Sequence, residues 1–176
     1  MKPKIRLRLG DITKFDVDAI VNAANKSLLG GGGVDGAIHR AAGPILRKVT
    51  ATLEGCSTGS AKLTEGFDLP AKYIIHTVGP VWQGGNAGEE GILKSCYRSC
   101  FSIANEQKFG SIAFPSIGTG AFGFPIESAS TIALQEAAHF SNQYNNDMEM
   151  FFVCFSESDY RVYQDALWNL SFQNLV

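Results

Sequence analysis

Apolar positions along the chain recur with two periods. Alternation, or a short unbroken apolar run, marks Ile5 to Leu9, Asp18 to Ala23, Ala61 to Thr64, Tyr73 to Val78, Ser111 to Pro115 and Met150 to Phe155 as strands. Between them the apolar spacing lengthens to about 3.6 residues, the period of a helix with one buried face. Val34 to Ala42 is short and apolar. Ile92, Leu93, Cys96, Cys100, Ile103 and Ala104 form a longer stripe, and Ile126, Ala129, Ile132, Ala133, Ala137 and Phe140 form another. Val162, Tyr163, Ala166, Leu167 and Leu170 form the last. Strands alternating with helices predict an α/β fold, with helices on both faces of a largely parallel sheet. Ala61 to Thr64 and the first strand are read as antiparallel members, which makes the sheet mixed. No repeat or low-complexity linker interrupts the pattern, so residues 1–176 read as one domain.

Composition narrows the function. A formal net charge of -2 lacks the basic excess of proteins held on a phosphate backbone, which disfavours nucleic acid as partner. No apolar run approaches the roughly 20 residues of a membrane span, and the N-terminus leads into alternating residues rather than a signal-peptide core. Cys56, Cys96, Cys100 and Cys154 form no C-x-x-C pair, so neither a zinc site nor a disulfide framework is readable. A reduced, cytoplasmic protein without metal or cofactor is expected.

Two glycine-rich loops carry the candidate chemistry. Gly30 to Gly33 lie between a strand and the helix opening at Val34. Ser116-Ile117-Gly118-Thr119-Gly120-Ala121-Phe122-Gly123 lie between the strand at Ile112 to Phe114 and the helix near Pro125-Ile126. A bare loop before a helix start exposes main-chain N–H groups to an anion, and two such units in one chain point to a diphosphate. Neither loop spells G-x-G-x-x-G, and no acid is placed for a Rossmann ribose contact, which disfavours a nicotinamide dehydrogenase. The first loop has no P-loop lysine. Instead Asp35 follows it, an acid that is unfavourable beside phosphate unless it has a task.

Ligands of open α/β sheets bind beyond the carboxyl ends of the strands. Gly10-Asp11-Ile12, the pair Asn22 and Asn25, the Gly118 to Phe122 loop and Phe155 each follow a strand, so parallel strands would set them on one rim. A carboxylate for a base amine, amides, bare backbone and an exposed aromatic suit a nucleotide. Each also has a plain structural reading. Asp11 before Thr13 suits an Asx-turn or cap, and Asn22 and Asn25 suit turns. Asp35 suits a helix first turn. Phe155 suits the core. His39, one turn after Asp35, His76 within its strand, and Cys96 with Cys100 read as packed structural residues. Gly84 to Gly88 precedes the long helix and is assigned no role, a plain connection being one reading.

Gly10-Asp11-Ile12-Thr13, Ile20 to Asn25, Gly30 to Gly43, His76-Thr77-Val78-Gly79-Pro80 and Phe114 to Gly120 together resemble the macro domain family, most closely its MacroD-type branch with its bacterial members. The resemblance runs from about Ile5 to the C-terminal helix. It implies a three-layer α/β/α sandwich with a mixed, mostly parallel sheet that binds ADP-ribose. By that resemblance Asp11 takes the adenine amine, Ile12 offers its backbone N–H to the ring and Phe155 lies against the base. Gly118, Thr119, Gly120 and Ala121 wrap the diphosphate, and Gly33 and Val34 close from the other side. Phe122 covers the distal ribose, Asn25 holds its hydroxyls, and Asp35 directs a water. Asp35 and Asn25 are then the catalytic pair, with no metal. The branch's reactions imply O-acetyl-ADP-ribose and proteins mono-ADP-ribosylated on Asp or Glu as substrates. A reader module that binds ADP-ribose without hydrolysing it is the alternative. Gly118 stands where this branch commonly has serine, and Ala121 where it has a bulkier residue, which predicts a more mobile second loop.

Overall fold

The computed structural model describes residues 3–144 and 147–173. Strand β1 spans Lys4–Leu9 and is followed by a single 3-10 turn, Ile12–Lys14. Then come β2 (Ala19–Ala23), α1 (Gly33–Ala42), α2 (Pro44–Ala51), β3 (Ala61–Glu65) and β4 (Tyr73–Thr77). After these follow α3 (Glu89–Glu106), β5 (Ser111–Phe114), α4 (Ile126–Tyr144), β6 (Glu149–Cys154) and α5 (Glu157–Phe172). Every strand read from the apolar pattern is present. Helix α2 is the element the pattern did not show. Gly43 ends α1 and Pro44 opens α2, where a missing N–H is harmless.

The six strands form one sheet in the order β1-β6-β5-β2-β4-β3. Only β3 runs antiparallel, against β4. The expectation that the first strand is antiparallel is corrected, because β1 pairs parallel with β6, Lys4 opposite Glu149 through Leu9 opposite Cys154. The sheet is therefore mixed and mostly parallel, as expected.

Side-chain alternation along the strands builds a core on each face. Val21, Ile112 and Phe152 point to one face with α3, α4 and α5. Ile20, Ile74 and Ala113 point to the other with Ile38 and Ala42 of α1 and Leu46 of α2. The first face is aromatic: Phe114 stacks on Phe152 with centroids 5.3 Å apart, and Phe101 stacks on Phe140 at 4.6 Å. Rings of this kind each bury roughly 150–250 Å² and dominate core energetics. The result is a three-layer α/β/α sandwich.

This layering positions the crevice. Chains leaving β1 and β2 turn towards the face of α1 and α2, since Ile12 packs in that cluster. Chains leaving β4, β5 and β6 turn towards the opposite face, into α3, α4 and α5. Loops that part in opposite directions leave a groove above the strand ends between them.

Candidate functional site

Strand order sets the order of groups along that groove. Gly10 and Asp11 follow β1, and Phe155 follows β6 beside it. The Ser116 to Gly123 loop follows β5, Asn25 to Asp35 follow β2, and Gly79 to Gly88 follow β4. All five strands run parallel, so the features expected on one rim do share it.

Asp35 lies in the first turn of α1 and is only 5% exposed. Its Oδ1 accepts from Asn22 Nδ2 at 2.8 Å and lies 3.4 Å from His39 Nε2. Asn22 does not follow β2 as the sequence reading had it. It lies inside β2, two residues after Ile20 on the face towards α1, and is fully buried. Its Nδ2 also lies 3.1 Å from Nδ1 of His76, its register partner in β4. His76 Nε2 lies 2.9 Å from Thr64 Oγ1, and that hydroxyl donates to the Glu65 carbonyl. Burial, with nearby His39 adding to it, pushes the His76 pKa down to about 3. A neutral ring accepting at Nδ1 must donate from Nε2, so the direction of the chain is settled. Thr64, His76 and Asn22 thus end on one oxygen of Asp35. Its other oxygen, Oδ2, accepts from no protein group among the described residues and is reachable by solvent.

The first glycine loop folds over this carboxylate. A Cβ built on Gly31 would sit 3.3 Å from Asp35 Oδ2 and 3.4 Å from Asn25 Nδ2, so one point beside the loop touches both. A Cβ on Gly36 would sit only 2.4 Å from the Gly31 carbonyl oxygen, so the loop lies on the helix because residue 36 has no side chain. Asn25 pins the same loop. Its Nδ2 donates to the Gly30 carbonyl at 2.9 Å, while its Oδ1 accepts from Ser27 Oγ and the Leu28 N–H. The turn-residue reading of Asn25 is therefore realised, and one amide proton is left over.

Helix α1 starts without a side-chain cap, since Gly32 offers none. The N–H groups of Gly33 and Val34 find no acceptor among the described residues, and they carry the positive end of the helix dipole. Across the groove, the N–H groups of Gly118, Thr119, Gly120 and Ala121 likewise find none. That loop is braced where greater mobility was expected. Phe124 N–H donates to the Gly118 carbonyl at 2.9 Å, Gly123 N–H to that of Gly120 at 3.0 Å, and Thr119 Oγ1 to that of Ser116 at 3.1 Å. Gly118 has φ +80°, a conformation in which serine is strained. The glycine answers the turn.

At the far end Asp11 Oδ1 accepts from both the N–H and the hydroxyl of Thr13, at 2.9 and 2.7 Å. The Thr13 hydroxyl is the main cause holding its carboxyl below the ordinary range. The cap reading thus occupies one oxygen and leaves the other. Ile12 buries its side chain while its N–H finds no acceptor among the described residues. Phe155 is 88% exposed beyond the end of β6, and is not core. Phe122, half-buried, accepts from Trp82 N–H through its carbonyl, which ties the β5 and β4 loops together. Among the described residues no group of three or more His, Cys, Asp or Glu is placed to hold a metal ion, and no helix is long and apolar enough to cross a membrane.

Sequence reasoning took His76 as structural, which it is, but missed that it supports Asp35. Strand parity was the available signal, because Asn22 and His76 occupy positions where a doubly covered sheet takes aliphatics. Glu89 was not singled out, although the Gly84 to Gly88 loop that it holds was.

A family model described as "Macro domain" matches residues 21–133. A "Macro domain-containing protein" of Methanosarcina mazei is 54% identical over 164 residues, covering 93% of this chain and 88% of the relative. The "ADP-ribose glycohydrolase MACROD1" of Bos taurus is 49% identical over 169 residues, which is 95% of this chain but 52% of that protein. Among solved structures, a Trypanosoma brucei macrodomain in complex with ADP-ribose superposes with a TM-score of 0.89 at 44% identity, covering 93% of this chain and 69% of that one.

Two outcomes are expected from this geometry. Gly36→Ala gains up to ~1 kcal/mol of helix propensity but overpacks against a backbone oxygen, at about 1–3 kcal/mol. Net loss of urea stability, with faster amide exchange across Gly30 to Gly33, is expected, and unchanged stability contradicts the packing described. For His76 the folded pKa of about 3 lies below the unfolded 6.5. The unfolded chain therefore binds a proton that the folded chain refuses, and stability falls as pH drops from 6.5 to 3. The slope from this group is at most about 1.4 kcal/mol per pH unit. Urea unfolding at several pH values should give a flatter profile for His76→Gln, and parallel profiles would rule out a buried neutral ring.

Proposed function

The chain belongs to the macro domain family, and on that premise we propose that it binds ADP-ribose and hydrolyses esters of it with a water directed by Asp35. The observation that carries this reading is the state of the Asp35 carboxylate. It is buried, one oxygen is fixed by the Thr64–His76–Asn22 chain, and the other opens on the point shared with Asn25. A buried acid so held has no structural use for its second oxygen.

The order of groups along the rim supports a stretched dinucleotide-like ligand. Asp11 and the Ile12 N–H would take adenine, with Phe155 against the ring. The N–H groups of Gly118, Thr119, Gly120 and Ala121, facing those of Gly33 and Val34, would hold the diphosphate, charge-assisted bonds that need no lysine. Phe122 would cover the distal ribose, and the remaining Asn25 proton would reach its hydroxyls. Residues 1–176 would act as one domain. O-acetyl-ADP-ribose and proteins mono-ADP-ribosylated on Asp or Glu are the proposed substrates. The name of the bovine relative, ADP-ribose glycohydrolase, supports hydrolysis over reading alone.

In the step itself Asp35 Oδ2 accepts a proton from water as the water oxygen bonds to the ester carbon. The carbon–oxygen bond to the leaving group breaks, and the proton passes to the departing oxygen. ADP-ribose and a carboxylic acid result, and no redox partner is involved. A positioned general base contributes roughly 10²–10⁴-fold. Asp35→Ala is expected to lose single-turnover hydrolysis by about that factor while calorimetry still detects ADP-ribose binding. Equal turnover in the two proteins removes Asp35 from the chemistry, and wild-type binding without turnover leaves a reader module.

A further inference from the structure

Beyond Asn25 the rim continues to the end of β4, the position next to β2 in the sheet. A cavity of about 420 Å³ lies there. Asn25 and Phe122 form its inner side, and Lys26, Thr58, Val81 and Ile92 contribute to the rest. We propose that this cavity receives the acyl side of the substrate, as the protein segment around an ADP-ribosylated acidic residue. The proposal rests on the ester-hydrolase reading above and says where the second half of that substrate goes.

Three observations carry it. The first is order. If base, diphosphate and distal ribose occupy the ends of β1 and β6, then β5, then β2, the atoms bonded to that ribose emerge towards β4. Asn25 and Phe122 belong to both spaces, so the two are continuous.

The second is construction. The β4–α3 loop is built as a wall. Glu89, only 2% exposed, accepts at Oε2 from the N–H groups of Gln83 at 3.2 Å and Gly85 at 2.6 Å, and at Oε1 from that of Ala87. Burial raises the affinity of this carboxyl for its proton, but the N–H groups of Gly85, Gln83 and Ala87 together outweigh it and hold the acid ionised. Trp82 donates its N–H to the Phe122 carbonyl at 2.8 Å and packs its ring on Phe124 at 4.8 Å. A plain connection into a helix needs none of these ties.

The third is chemistry. Val81, Ile92, Val78 and Pro80 make the lining largely apolar. Its charged members are Lys26 and Glu89, and Glu89 is turned inward onto the backbone. Lys26 is exposed and forms no ion pair among the described residues. An apolar cavity whose accessible charge is the Lys26 ammonium, the Glu89 carboxylate being occupied by backbone N–H groups, suits a segment of acidic and apolar residues. An acetyl group alone would leave most of 420 Å³ unfilled.

The test compares two esters on the same protein: O-acetyl-ADP-ribose, and a protein mono-ADP-ribosylated on Glu. Lys26→Glu reverses the accessible charge, and Ala87→Trp, at an exposed position, fills the cavity. Each should lower kcat/KM for the protein ester by roughly threefold to tenfold, mainly through KM, the size of one or two surface contacts. Each should leave O-acetyl-ADP-ribose hydrolysis and the Kd for ADP-ribose unchanged. Higher salt should narrow the Lys26→Glu difference and not the Ala87→Trp one. If both esters are affected alike, or neither is, the cavity is not an acyl site while the hydrolase reading stands. If the wild type hydrolyses neither ester, both are overturned.

Discussion

The arrangement of the groove depends on a hydrogen-bonded chain buried inside the sheet. Thr64 on β3, His76 on β4 and Asn22 on β2 stand on the face towards α1, where an aliphatic layer would otherwise continue. Removing such groups from water without partners costs a few kcal/mol each, so they are tolerated only as a connected set. The set has a direction that starts at the Asn22 amide: one of its protons goes to Asp35, the other to His76 Nδ1, and His76 Nε2 then donates to the Thr64 hydroxyl, which donates to the Glu65 carbonyl. Its bond to the Asp35 carboxylate fixes the rotation of α1 against the sheet. The helix start and the Gly30 to Gly33 loop follow from that rotation.

Sheet topology does the rest. Because β1 and β2 send their chains to one face and β4, β5 and β6 to the other, a groove is left above the strand ends between them. Main-chain N–H groups from the start of α1 and from the Gly118 to Ala121 loop are left without protein acceptors among the described residues. Exposed donors of this kind carry little penalty in water but form a preset array for an anion, since the loops need no rearrangement to present them. The bracing of the second loop by Thr119, Gly123 and Phe124 serves that preset state, and so does the positive φ of Gly118.

How much of this was legible depends on whether the signal was local. Six strands and four helices are written as periodicity, and the glycine loops as composition. Helix α2 carries only Ile45, Leu46 and Val49 as large apolar residues, with Ile45 exposed, and so gives no stripe; Pro44 after Gly43 was its readable mark. The direction of β1 is not local at all. Its partner β6 lies near the other end of the chain, and the alternation of Arg6 and Arg8 with Ile5, Leu7 and Leu9 is the same whichever way the partner runs. Asp35 was found because an acid beside a phosphate-like loop is chemically odd. Its support was not, because Asn22 and His76 are ordinary residues until β2 and β4 are put in register. Asn25 fell between these cases: its turn role and its proposed ligand role use different atoms of one amide.

The split between scaffold and loops also bears on where specificity can reside. The relay behind Asp35 is sealed, and a change in any member leaves its neighbours unpaired, so it offers little room for variation. The groups proposed to hold the ADP-ribose moiety are mostly backbone, which any sequence compatible with the turns retains. What remains free to differ is the β4–α3 wall, whose conformation is held by Glu89 and by Trp82 while Val81 and Ala87 are exposed, together with Lys26 on the neighbouring β2–α1 loop. A wall whose shape is fixed from behind can change its outward side chains without disturbing the groove beside it. On the proposed reading the invariant half of the substrate meets the rigid part of the protein. The variable half meets the part that can diverge.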